Sequence, residues 1–191
     1  DLISSIKGVF RLPSGLLRFY TSAIISHFAW LMGEGLLYAM LLKSFGFNLI
    51  QIGVLANALS VSAVLSQIPI GKLVDRYGSK PFLIVSQVIW SFIFVGYLLS
   101  RDFKGFIIVR LIRGLVVSMW EPAYFSYLSN AVPDGERARS FGDINCLKGL
   151  ICFPAPILGA VLYEKLGFTA PILGSLALVI IVIILLFSLR E

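Results

Sequence analysis

Glu34, Arg110, Arg113, Glu121 and Lys148 are ionisable residues set inside stretches that are otherwise apolar enough to cross a bilayer. A charge in hydrocarbon costs about 2.5 to 3.5 kcal/mol on insertion scales, so each needs a partner of opposite sign or a water-filled cavity. The chemistry open to such groups is ion pairing and proton binding. At about 100° per helical residue, Arg110, Arg113, Val117, Glu121 and Tyr124 fall on one stripe, and His27, Trp30, Glu34 and Tyr38 on another. Depth along the helices pairs Glu34 with Arg110 or Arg113, and Glu121 with Lys148. Protonation of Glu34 would weaken its hold on arginine and couple proton movement to substrate binding. The alternative is that these pairs satisfy one another and fix helix register. Asn57, Ser60, Gln67 and Asn145 offer hydrogen bonds to a substrate, and Trp30, Tyr38 and Tyr124 offer either stacking faces or packing. His27 lacks a second histidine or a cysteine at ligand spacing, so it reads as a hydrogen-bonded helix residue. No metal and no cofactor are expected.

The elements that must position these residues are long and apolar. Of 191 residues 58% are hydrophobic and 14% charged, with a mean hydropathy of +0.93, which marks an integral membrane protein. A span needs roughly 20 residues, and the chain has room for about six. The expected helices cover about 19–42, 49–70, 82–100, 106–130, 141–162 and 169–189, giving an all-α membrane domain over 19–189. Residues 1–18 then form a cytoplasmic N-terminal segment without a cleavable signal peptide, and 190–191 begin a cytoplasmic linker. Lys and Arg number nine on the side of the two ends and four on the other, so both ends are expected in the cytoplasm. The net charge of +6 thus records orientation in the lipid bilayer, and no nucleic-acid partner is expected. Cys146 and Cys152 point to different helix faces and cannot bridge.

Between the second and third apolar stretches lies Gly71-Lys72-Leu73-Val74-Asp75-Arg76-Tyr77-Gly78-Ser79-Lys80. This turn resembles the signature loop of the major facilitator superfamily, Gly-x-x-x-Asp-Arg-x-Gly-Arg-Arg/Lys, through Gly71, Asp75, Arg76, Gly78 and Lys80, with Ser79 replacing an Arg. Arg110-Leu111-Ile112-Arg113-Gly114 is similar to the family's Arg-x-x-Gln-Gly segment, with Arg113 in the Gln position. The run from Pro133 to Gly142 resembles its Pro-x-x-Glu-Arg-x-Arg-x-x-Gly stretch. Gly142, Pro156 and Gly159 match the antiporter pattern of the fifth helix, from which Ile151 and Ala155 depart.

The resemblance implies the N-terminal half of a twelve-helix transporter, built as two inverted three-helix repeats. It implies a cytoplasmic gate in which Asp75 latches onto the other half and Arg76 pairs with an acid near the end of the fourth helix. Asn130 occupies that acidic position here, which leaves Arg76 to find Glu136 or Asp134. The expected function is secondary active transport by alternating access, narrowed to proton-coupled export of a small organic solute across the plasma membrane. Uptake and a non-transporting receptor or scaffold are the alternatives. An enzyme is not expected: a rhomboid-type serine protease would need a Gly-x-Ser-Gly nucleophile, which the sequence lacks. A nucleotide-binding Gly-x-x-x-x-Gly-Lys-Ser/Thr loop is also missing, so a gradient must supply the energy. The expected partners are the small-molecule substrate, protons, lipid, and a C-terminal six-helix half or a second copy.

Overall fold

The structure, a computed structural model, describes residues 14–188, and every regular element among them is helical. In chain order these are α1 (Ser14–Met32), α2 (Leu37–Phe45), α3 (Leu49–Tyr77), α4 (Ser79–Leu99), α5 (Phe103–Ala131), α6 (Arg137–Cys152), α7 (Ala155–Leu166) and α8 (Thr169–Phe187). Single 3-10 turns at Glu34–Leu36 and Asp134–Glu136 lead into α2 and α6.

Two of the expected spans are broken. The first is α1 and α2, interrupted at Gly33, and the fifth is α6 and α7, interrupted before Pro154. A break frees carbonyls that must be satisfied again, because lipid offers no donors. Ala29 O accepts from Gly33 N at 3.2 Å and from the Ser175 hydroxyl at 2.8 Å. Small residues permit that approach. A Cβ on Gly33 would stand 2.5 Å from Ser175 Oγ, and one on Gly159 would overlap the Met32 carbonyl.

Among the described residues, five helical segments can cross a membrane by length and composition: Leu16–Phe45, Leu49–Tyr77, Ser79–Leu99, Arg137–Leu166 and Thr169–Phe187. The expected sixth, α5, has 29 residues but holds Arg110, Arg113 and Glu121, which set it apart from its apolar neighbours. The bundle compensates by wrapping it, since α5 packs against both α3 and α4. In turn α4 packs against α8, and α1 against α6, α7 and α8. One apolar cluster joins Phe19, Leu83, Leu128, Ile144 and Leu186; a second joins Leu37, Phe94, Phe106 and Ile172 at the other end. Outside, α3 is clad in exposed Val61, Val64, Leu65 and Ile68, as a surface in hydrocarbon requires.

The second and third helices extend further into their turn than the expected 49–70 and 82–100. Gly71, Asp75 and Arg76 all lie within α3, Lys80 lies in the first turn of α4, and Gly78 alone makes the corner at φ 84°. A left-handed φ suits glycine, which is why one residue can reverse the chain here.

Candidate functional site

Breaking the first span at Gly33 puts Glu34 in a 3-10 turn and turns its carboxylate across α4 toward α5. The side chain is 1% exposed. Arg113 Nε donates to Glu34 Oε2 at 2.7 Å, and Arg110 Nη1 to Oε1 at 3.3 Å. Two further donors come from α4: Trp90 Nε1 reaches Oε2 at 3.1 Å and the Tyr97 hydroxyl reaches Oε1 at 2.8 Å. One carboxylate therefore accepts four hydrogen bonds, filling its acceptor capacity.

The cations are held from the other side as well. Arg110 Nη2 donates to the Tyr38 hydroxyl, and its guanidinium lies 4.9 Å from the Tyr38 ring centre. Arg113 stacks 4.8 Å from the Trp90 ring centre. Aromatic faces attract cations most where water is excluded. Formally the cluster carries two positive charges against one negative.

This cluster forms one end of a cavity of about 610 Å³. Its wall takes His27, Trp30, Glu34 and Tyr38 from the first span, and Arg110, Arg113, Val117 and Glu121 from α5. Both sequence stripes thus face the same space. Tyr124 departs from its stripe: it is buried, stacks on Phe19 at 5.4 Å, and lies behind the wall. Ser26 on α1, Gln87 and Trp90 on α4, Trp120 on α5 and Lys148 on α6 add further polar lining, and neither stripe included them. Gln87 is 1% exposed; its amide nitrogen donates to Ser26 Oγ at 3.2 Å, while its Oε1 has no donor among the described residues.

The expected Glu121–Lys148 ion pair does not form. Both line the cavity, but Lys148 Nζ donates to the Tyr124 hydroxyl at 3.0 Å and sits 4.2 Å from that ring's centre. Glu121 is exposed and has no ion pair among the described residues. The phenol intercepts the ammonium because Tyr124 lies one turn further along α5 toward the connection to α6.

Asn57 and Asn145 are exposed outside the cavity wall. Leu59, two residues from Asn57, faces inward, and about 200° of helical rotation turns Asn57 away. Asn145 follows the buried Ile144 and points outward from α6. Ser60 and Gln67 are likewise exposed, and the Ser60 hydroxyl bonds back to Ala56 O at 3.1 Å.

At the α3–α4 corner, Asp75 and Arg76 are exposed, and Arg76 lies 5.3 Å from the Tyr77 ring centre. No ion pair among the described residues joins Arg76 to Glu136, and the Asp134 side chain lies outside those described. Cys146 and Cys152 are free, the first exposed and the second buried.

The chain matches the Major Facilitator Superfamily profile over residues 19–191. It is 26% identical to an uncharacterized MFS-type transporter of Methanocaldococcus jannaschii across 82% of this chain and 42% of that one. It is 27% identical to a multi-drug resistance efflux pump PmrA homolog of Lactococcus lactis, over 78% of this chain and 37% of the relative. A voltage-gated purine nucleotide uniporter of Mus musculus is 26% identical over 66% of this chain and 29% of its own length. The chain therefore spans less than half the length of these relatives. With a family match over nearly all its residues, a helical bundle suited to a membrane and a charged internal cavity, the chain belongs to the major facilitator superfamily of membrane transporters.

Proposed function

We propose that this chain forms one wall of a secondary active transporter that works by alternating access and exports a small organic solute in exchange for protons. The observation that carries the reading is the cavity of about 610 Å³ with Glu34, Arg110, Arg113, Glu121 and Lys148 in its lining. That volume suits a small organic molecule, and charges at membrane depth mark pathways and relays. Similarity to an efflux pump supports the outward direction.

Within that reading the two carboxylates divide the work. Glu34, with four donors, ties the first span to α4 and α5, and Arg110 and Arg113 would lose their common counter-charge if it were protonated. Glu121 lines the same cavity and has no ion pair among the described residues, so the proton-coupling role is assigned to it. The family arrangement supplies the rest: α5 as a sixth span, two inverted three-helix repeats, both ends in the cytoplasm by the positive-inside bias, and a second six-helix half closing the pathway in the plasma membrane. Asp75, Arg76 and Lys80 would form the cytoplasmic gate at the Gly78 corner, with Gly71 on the same helix end. Asp75 is exposed, as a latch awaiting the other half must be.

The test is to reconstitute the complete protein in liposomes with a pH gradient and a pH-reporting dye inside. A panel of organic solutes is added from outside. Solute-dependent dissipation of the gradient is expected; solute movement that ignores the gradient would overturn the coupling.

A further inference from the structure

We propose that the Lys148 end of the cavity is a subsite for the carboxylate of an aromatic organic anion. The inference rests on the transporter reading above and names the class of solute. Three observations on the wall converge.

The first is charge. The lining holds three cations, Arg110, Arg113 and Lys148, against two carboxylates, Glu34 and Glu121, so a bound monoanion balances it. The second is the state of Lys148. Its ammonium carries three donors, and its hydrogen bond to protein goes to a neutral phenol, the Tyr124 hydroxyl at 3.0 Å. Glu121 shares the wall without forming an ion pair with it, and His27 lies within electrostatic reach on the facing span. A half-buried ammonium with no carboxylate partner among the described residues is incompletely compensated, and a ligand carboxylate supplies what the phenol cannot.

The third is the surface beside it. Trp30, 40% exposed, lies 5.4 Å from His27 ring to ring, and Trp120 lines the cavity while its ring stacks on Tyr124 at 6.1 Å. Aromatic side chains in the lining suit a planar apolar body. An aromatic ring bearing a carboxylate fits both these side chains and the ammonium.

The experiment is equilibrium dialysis of the complete protein in detergent against three probes of one shape: 2-naphthoate, 2-naphthamide and 2-naphthylmethylammonium. Naphthoate is expected to bind tightest and the ammonium weakest. Lys148→Met should weaken naphthoate about tenfold or more, the scale of a hydrogen bond to a charged group, and leave naphthamide nearly unchanged. Lys148→Arg should keep the anion preference, which separates lost charge from lost folding. Naphthoate binding no tighter than naphthamide in the unmodified protein, or unchanged in Lys148→Met, would overturn the subsite. Dialysis needs no translocation, so the transporter reading fails separately: anion-selective binding with no solute flux in liposomes would sustain the subsite and sink that reading.

Discussion

Arg113 donates through Nε to Glu34 across 2.7 Å, joining the break in the first span to the middle of α5 over 79 residues of sequence. The contact is buried on both sides, with side-chain exposures of 10% and 1%. It gives the α5 arginines a counter-charge from the residue at which the first span is interrupted.

Removing one partner from such a buried pair leaves the rest uncompensated, at a cost of about 3 to 5 kcal/mol. Glu34→Gln should therefore lower the melting temperature of the detergent-solubilised protein sharply. Adding Arg113→Gln in that background should cost less than it does alone, by a coupling of about 0.5 to 3 kcal/mol. Additive losses would show that the pair contributes no mutual stabilisation.

The α4 donors should add to the hold of the arginines on the Glu34 carboxylate. Tyr97→Phe and Trp90→Phe each remove one hydrogen bond to the carboxylate, worth about 1.5 to 3 kcal/mol for a charged acceptor. Thermal unfolding followed by circular dichroism checks this. Trp90→Phe also weakens the stacking of Arg113, and Tyr97→Phe removes the hydroxyl that accepts from Arg110 Nη1 at 3.3 Å, so both variants should loosen an arginine as well.

Gly114 is set where α3 and α5 touch most closely. A Cβ there would lie 2.5 Å from the Leu59 carbonyl and 2.6 Å from Ser62 Cβ. Alanine ordinarily improves a helix by about 1 kcal/mol over glycine, but overpacking costs about 1 to 3 kcal/mol. Because backbone blocks the way, Gly114→Ala should destabilise, whereas Gly53→Ala, with open space around its Cβ position, should not. Comparing the two melting temperatures decides it.

The division between carboxylates gives a prediction about pH. Glu121→Gln should leave the fold intact while abolishing the dependence of solute flux on a pH gradient. Glu34→Gln should instead depress flux at every gradient by loosening the bundle. Liposome flux measured at several gradients distinguishes them, and pH-dependent flux in Glu121→Gln would exclude it as the proton carrier.

The meeting of Glu34 with Arg110 and Arg113 was legible in the sequence because helical period and depth are both arithmetic on residue number. The signature turn was legible too, though its helices run closer together than the glycines suggested. Trp90 and Tyr97 were harder to see. They stand three and ten residues after Gln87 on one face of α4, but their helix carries no ionisable signal, and an aromatic at helical spacing reads first as packing. The break at Gly33 depends on Gly159 and Ser175 approaching from α7 and α8, a relationship that no local pattern contains. The same holds for Lys148, whose partner was settled by which of two α5 side chains, Glu121 or Tyr124, stood within reach.

Alternating access requires the cavity to open to each side of the membrane in turn. In the complete protein with its other cysteines removed, together with Cys146→Ser and Cys152→Ala, Val117→Cys places one thiol on the cavity wall. Labelling by a membrane-impermeant maleimide is then measured in right-side-out and in inside-out vesicles. The account predicts labelling from both sides. Labelling confined to one side would contradict it.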